Sequence, residues 1–449
     1  MKNKFNGKFL DRVSESPPLI LTLGFFILIS IGALILSTPF VTRSGKPTDV
    51  IDAFFIAASA SCVTGLSPVN TAQHWNTIGQ VVIIVLIQIG GLGIMTLASV
   101  IPLILRRKIG IKTRLILKEQ LNIESMEGVV RLFKYVLLFT LSVEALGALF
   151  LAVRFVPNYG LGKGIWFSIF HSISAFCNAG FDILGDSIYP LRNDYLVNIT
   201  IMALIIIGGL GFMVTSEIYY KRNFKEISTH SKLVLLTNMG LILVGALGFF
   251  ILESRKGGVL NSETIGDGVL ISFFQSVSAR TAGFYSIDLS KIKDSTSILL
   301  ISLMFIGGSP GSTAGGIKTT TFAVLLLAVI SVIKNEKEPI VYKRRISNDT
   351  IKKALSIFVI TLFLLIIVSF VITAIEDFSY IDVLYETASA LGTVGATRGI
   401  TDKLSDVSKI LITICMYLGR IGPMTMALSF GLKSNVRLIR YPEGFVSIG

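Results

Sequence analysis

Gly65, Gly180, Gly283 and Gly395 each close a short apolar segment, and the four segments are copies of one pattern. They read FFIAASASCVTG (54–65), IFHSISAFCNAG (169–180), FFQSVSARTAG (273–283) and LYETASALGTVG (384–395). From the second aromatic residue to the glycine the copies run 10, 10, 9 and 10 residues, so the third is one residue short. The chemistry open to such segments is that of the backbone. A loop ending a short helix offers carbonyl oxygens, and the helix C-terminus adds partial negative charge. Glycine reaches the positive-φ conformations that turn successive carbonyls toward one axis. Four such loops meeting at an axis would replace the hydration shell of a cation. The residues placed there are Val63, Thr64 and Gly65; Asn178, Ala179 and Gly180; Thr281, Ala282 and Gly283; and Thr393, Val394 and Gly395. The last three open like the TVGYG loop of potassium channels.

A second glycine motif follows each copy by 24 to 28 residues: Gly90-Gly91-Leu92-Gly93, Gly208-Gly209-Leu210-Gly211, Gly307-Gly308-Ser309-Pro310-Gly311 and Gly419-Arg420-Ile421-Gly422. Two motifs in register four times over imply four repeats. Other chemistry is scarce. The three cysteines and three histidines are scattered without CxxC or ligand spacing, and no nucleotide fingerprint is present, so no enzyme centre emerges.

The elements that must hold these loops are membrane helices. The chain of 449 residues is 52% hydrophobic and 15% charged, against roughly 25% charged in a soluble domain. Residues 17–42 carry no charge, a run of 26 that exceeds the roughly 7 to 15 apolar residues of a signal h-region and suits a retained helix. Eight segments are long enough to span: 17–40, 77–105, 135–153, 195–219, 233–252, 298–333, 354–375 and 409–432. The four loop-bearing segments are too short to span. Irregular backbone at that depth is stable only against protein or beside a wet cavity. With two crossings per repeat all four copies enter from the same side, as parallel repeats do. The expected fold is therefore an all-α polytopic membrane protein: four parallel helix–pore-helix–helix repeats around a pseudo-fourfold pore. The repeats fall at 17–105, 129–220, 230–333 and 350–432, between cytoplasmic tails at 1–16 and 433–449.

Charge sets the orientation. Of the net +13, the segments assigned to the cytoplasm hold 26 Lys and Arg against 10 acids, and the outer segments 12 against 15. That asymmetry follows the positive-inside rule and puts both termini in the cytoplasm. The basic excess is thus orientation and docking surface, equally suited to anionic lipid, and not a nucleic-acid signal. Asp182, Asp186, Asp194 and Asp288 follow the glycine loops on the outer side, as cation collectors or as ordinary loop residues.

Charges at membrane depth are candidates for function. Residues 298–333 number 36, roughly 54 Å of helix at about 1.5 Å per residue. The middle, Gly307, Gly308, Ser309, Pro310, Gly311, Ser312, Thr313, Ala314, Gly315 and Gly316, must break that helix into a flexible loop across the cavity below the ring. Arg420, in place of a glycine in the fourth motif, is expected to face the pore and bind carbonyls of that loop. Arg280 and Glu386 are expected to pair and brace the ring; Glu144 should bind a polar group of a neighbouring helix, and Lys318 should snorkel to the cytoplasm.

These motifs, with Gly308-Ser309-Pro310-Gly311-Ser312-Thr313-Ala314, Gly422-Pro423 and Arg440-Tyr441-Pro442-Glu443-Gly444, resemble the Trk/Ktr/HKT superfamily of potassium transporters over essentially the whole chain. The compact length looks most like the membrane subunits of bacterial Ktr systems, of the KtrB or KtrD kind. The resemblance implies K⁺ uptake in the bacterial cell membrane, stimulated by Na⁺, by a homodimer. It also implies that the 307–316 loop is the gate. Nucleotide would act only through a cytosolic ring of RCK-type subunits, KtrA or KtrC. Glycine at all four filter positions favours K⁺, since a serine at the first goes with Na⁺ permeation in plant members. The competing reading is a symporter coupled to Na⁺ or H⁺, which the near absence of midplane carboxylates weakens.

Overall fold

The computed structural model describes residues 17–93, 129–336, 338–422 and Ser447. The tails at 1–16 and, apart from Ser447, 433–449, and the ends of two expected spans, 94–105 and 423–432, lie outside them. The described chain is mostly helical. One group comprises α1 (Pro17–Leu36), α2 (Val50–Cys62) and α3 (Thr77–Leu92). The next holds α4 (Val129–Tyr159), α5 (Leu161–Phe176), α6 (Tyr195–Gly209) and α7 (Phe212–Lys221). A third consists of α8 (Thr229–Glu253), α9 (Ile265–Ser278), α10 (Asp294–Phe305) and α11 (Thr319–Ile333). After a hairpin of β1 (Ile340–Val341) and β2 (Arg344–Arg345) come α12 (Asn348–Ile375), α13 (Tyr380–Leu391) and α14 (Asp406–Ile421).

Each group opens on a long helix, and α1, α4, α8 and α12 are the four described helices long and apolar enough to cross a membrane unbroken. Large apolar side chains such as Leu149, Val244 and Phe370 remain exposed on them, a surface that only lipid or another membrane chain would cover. Each group then has a short helix that ends at a glycine loop. Three of these, α2, α9 and α13, are capped at the other end: Asp49 accepts from the Ile51 N–H, Thr264 from Asp267 and Ser379 from Asp382. The capped end is fixed, and the partially negative end is left to the loop. Cyclic packing orders the groups. The helix that follows each loop lies on the short helix of the next group: α3 on α5, α6 on α9, α10 on α13, and α14 back on α2.

The helices that follow the loops are shorter than expected, because each stops at its second glycine motif. Residues 195–219 do not form one straight helix: α6 and α7 meet at 97°. The hinge is Gly211, with φ 93° and ψ 133°. Gly93 (φ 86°, ψ 142°) and Gly422 (φ 89°, ψ 134°) end α3 and α14 in the same conformation. An L side chain rarely adopts this region, so the last glycine of the motif is a helix terminator. The first glycine packs. A methyl group on Gly90, Gly208 or Gly419 would run into the carbonyl oxygen of Ser61, Phe176 or Leu391, the matching residue of three short helices. The third group departs from this rule: Gly307 sits against Gly315 of its own loop.

Gly208→Ala should therefore cost about 1–3 kcal/mol of overpacking and lower the melting temperature in detergent. Gly162→Ala, inside a helix and with nothing within 4 Å of the added carbon, should not lower it.

Candidate functional site

The four glycine loops form one closed ring. A Cβ on Gly65 would strike the carbonyl oxygen of Ala179, one on Gly180 that of Ala282, one on Gly283 that of Val394, and one on Gly395 that of Thr64. Every loop thus fills the space left by the missing side chain of its neighbour, in the order first, second, third, fourth, first. The oxygen involved always belongs to the residue before the glycine.

Backbone conformation repeats with the same regularity. Val63, Asn178, Thr281 and Thr393 have φ of 59°, 59°, 77° and 50°, and the glycines two residues later have 99°, 68°, 71° and 92°. For a side-chain-bearing residue that conformation costs of order 1–3 kcal/mol and persists where the surroundings over-determine it. Here they do. The residue before each glycine donates its N–H to a serine carbonyl: Thr64 to Ser59 and Ala179 to Ser174 at 2.8 Å, Ala282 to Ser278 at 2.9 Å, Val394 to Ser389 at 2.8 Å. The residue missing from the third copy is absorbed between Ser278 and Thr281, and Gly283 still takes its place in the ring.

The same serines brace the loops with their hydroxyls. Ser59 Oγ and Ser389 Oγ accept the N–H of Gly65 and Gly395, both at 3.0 Å. Ser174 and Ser278 instead donate to the carbonyls of Phe181 and Phe284, at 2.7 and 2.5 Å. The sequence carries a Ser-Ala dipeptide at one register in all four copies, a signal that is easily overlooked because serine in an apolar helix reads as filler. Asn178 joins loops laterally. Its amide nitrogen donates to the carbonyls of Phe176 and Ile205, each at 3.2 Å, and its oxygen accepts from the Thr281 hydroxyl at 3.1 Å. The Ser61, Thr64 and Thr393 hydroxyls are buried without a protein partner among the described residues, as in a site that admits water or ions.

The segment 307–316 separates α10 from α11 and is strapped rather than loose. Ser309 and Thr313 donate N–H groups to the carbonyls of Gly209 (3.1 Å) and Gly208 (3.3 Å), and Phe212 N–H donates to Gly311 (2.8 Å). The Thr313 hydroxyl reaches the Phe176 carbonyl at the end of α5, 3.1 Å away. On the opposite side, Gly315 abuts Thr393 and Gly316 abuts Gly392. The segment thus spans from the second group to the fourth at the feet of the short helices. Arg420 ties it down: Nη1 donates to the Thr313 carbonyl, and Nη2 to the carbonyls of Gly90 and, at 3.1 Å, Gly91. One guanidinium therefore links the segment to the first and fourth groups.

Other expectations are corrected. Arg280 and Glu386 do not pair: Arg280 donates to the Asn238 side chain of α8, whereas Glu386 accepts from Thr397 (2.7 Å) and Thr401 (2.5 Å), just past the fourth loop. Two hydroxyls from the chain just beyond the fourth loop satisfy the carboxylate, so no arginine is needed. Lys318 folds onto its own loop, donating to Ala314 at 2.8 Å, instead of extending away. Glu144 does bind a polar group of a neighbouring helix, as expected: it accepts from the Gln88 amide of α3 at 3.1 Å. Of the outer aspartates, Asp194 caps α6 and pairs with Arg154 at 3.0 Å, Asp288 pairs with Lys291 at 2.9 Å, and Asp186 accepts from Tyr285 at 3.1 Å. Burial raises the Asp182 carboxyl above its usual range, against backbone donors led by Gly185. These residues build the outer loops more than they offer free negative charge.

The family model of the TrkH cation transport proteins matches residues 24–437. The chain belongs to that family. It is 43% identical over 442 residues to the Ktr system potassium uptake protein B of Bacillus subtilis, covering 98% of this chain and 99% of that one. It is 42% identical to the potassium/sodium uptake protein NtpJ of Enterococcus hirae, covering 97% of both. It is 37% identical to the Ktr system potassium uptake protein D of B. subtilis, over the full length of each. The crystal structure of the potassium transporter TrkH from Vibrio parahaemolyticus shares the fold, with a TM-score of 0.72 over 92% of this chain and 84% of that one at 20% identity. Membership makes this a membrane transport protein and not an enzyme.

Ser389→Ala should leave the Gly395 N–H unsatisfied at a cost of about 1–3 kcal/mol. Thr387→Val, whose hydroxyl bonds only to the Val383 carbonyl of its own helix, should cost clearly less in the same thermal-stability measurement.

Proposed function

We propose that the chain is the ion-translocating subunit of a K⁺ uptake system in the bacterial cell membrane. Cations pass through the ring of Gly65, Gly180, Gly283 and Gly395, whose carbonyls replace their hydration shell. The observation that carries this reading is the closed ring itself, in which four loops present the same carbonyl at the same register. The relatives named as potassium uptake proteins support K⁺ as the cargo, and the one named for potassium and sodium makes the discrimination between the two the property to measure.

The 307–316 segment with Arg420 is the gate. A cation leaving the ring meets a backbone strap and a fixed positive charge, and both must move or be overcome for flux. The chain works as a homodimer, stimulated by Na⁺, and takes nucleotide control from a cytosolic RCK-type partner docked, like anionic lipid, on its basic face. The basic excess in the segments assigned to the cytoplasm supports that placement. The buried carboxylates near the ring, Glu144 and Glu386, are each held by neutral donors, Gln88 for the first and Thr397 and Thr401 for the second, and not by one another, which favours a channel-like path over Na⁺- or H⁺-coupled symport.

Flux of K⁺ and Na⁺ into liposomes under separately imposed gradients tests this. K⁺ should follow its own gradient whether or not Na⁺ has one, and uphill K⁺ movement driven by Na⁺ would make the protein a symporter. Gly395→Ser should raise the K⁺ half-saturation about 10-fold, the equivalent of one 1.4 kcal/mol contact, and unchanged affinity would remove the filter assignment. Arg420→Ala should raise maximal flux, and unchanged flux would remove the gate.

A further inference from the structure

Arg280 sets the third loop apart from the others. Three residues before the glycine the other loops have Cys62, Cys177 and Gly392, and the third has an arginine. Arg280 is 6% exposed, and no ion pair to it is present among the described residues. Its Nη1 donates to Asn238 Oδ1, and its Nε has no partner among the described residues. A buried guanidinium held by one neutral amide is held by little, so whatever fixes that amide fixes the charge.

Asn238 is fixed from the far side. Its amide nitrogen donates to the Val234 carbonyl at 2.8 Å and to Ser309 Oγ at 3.0 Å. The amide cannot be reversed, because a guanidinium donates and never accepts. Ser309 is fully buried within the 307–316 segment, where its hydroxyl also accepts from Thr319 at 3.1 Å and its N–H donates to Gly209 at 3.1 Å. One planar group on α8, a helix that contributes no residue to the ring or to the segment, therefore touches the segment with one end and a charge behind the ring with the other.

We propose that Asn238 is a positioning residue that couples the 307–316 segment to the third filter loop through Arg280. When the segment moves, Ser309 leaves Asn238, the amide turns, and the guanidinium shifts relative to the ring. The positive charge then acts differently on a cation held there. The position of the segment is thereby read as cation affinity as well as an open or closed path. The inference rests on the segment being the gate.

K⁺ uptake by the full chain, in cells dependent on it for growth at low K⁺, tests the coupling through half-saturation and maximal rate. Ser309→Ala removes one hydroxyl that does not belong to the ring. It should shift the K⁺ half-saturation by about 3-fold or more, well within the tenfold per 1.4 kcal/mol scale of binding energies. Asn238→Leu should shift it too, and the double variant should go no further than Asn238→Leu alone. If Asn238→Leu does not reach the membrane, Asn238→Asp serves in the same cycle, since it keeps an acceptor for Arg280 and gives up the donor to Ser309. Variants that change only the maximal rate, or whose effects on half-saturation multiply, overturn the coupling. Arg420→Ala in the same assay separates the two claims. Raised flux there with unmoved half-saturation in Ser309→Ala leaves the gate standing and rejects the coupling, whereas unaltered flux in Arg420→Ala rejects both.

Discussion

Everything in this fold is arranged around a clearance. Each of four loops approaches its neighbour so closely that a single methyl group at the glycine would occupy the next loop's carbonyl oxygen. A side chain at any of those four positions would force the next loop's carbonyl to shift. Nor are the loops free to relax, since four non-glycine residues hold positive φ beside the ring. The helices are explained by what this ring requires. Short helices deliver the loops, serines at one register pin them from behind, and the glycine-ended helices lie close enough to press on the short helices of the next group.

Three groups obey this plan closely and the third bends it. Its loop is one residue shorter, its last helix is interrupted after Phe305, and an arginine stands where the others have a small residue. These departures belong together. The interruption lets 307–316 cross toward the fourth group, and the crossing segment occupies the place where, in the other groups, a first-motif glycine packs on a short-helix carbonyl. Arg420, the one arginine in a second motif, then reaches three carbonyls contributed by the first and third groups. A fourfold plan supplies the ring, and its breakage supplies a backbone strap tied to the second, first and fourth groups.

Much of this was legible in the residues. The four copies, the shared register of their glycines, the break at 307–316 and the partner chemistry of Arg420 all follow from short-range pattern and helix arithmetic. What escaped had two physical origins. Gly93, Gly211 and Gly422 look like packing glycines in an apolar run, and only backbone dihedrals reveal them as terminators that turn one expected span through 97°. The partners of Arg280 and Glu386 depend on which elements meet in space. Charge complementarity suggested a pair, but local hydroxyls reached Glu386 first and an amide on α8 reached Arg280. The bracing serines were visible as a dipeptide, yet their meaning lies in contacts across a turn.

The central claim is that a cation is held by the ring, and it is tested most directly by locating the ion. Crystals grown with Rb⁺ in place of K⁺, measured at the rubidium absorption edge, should show anomalous density on the axis of the ring, coordinated by the carbonyl oxygens of Thr64, Ala179, Ala282 and Val394. Ordered Rb⁺ elsewhere in the membrane-embedded region, with no density inside that ring, would contradict the account.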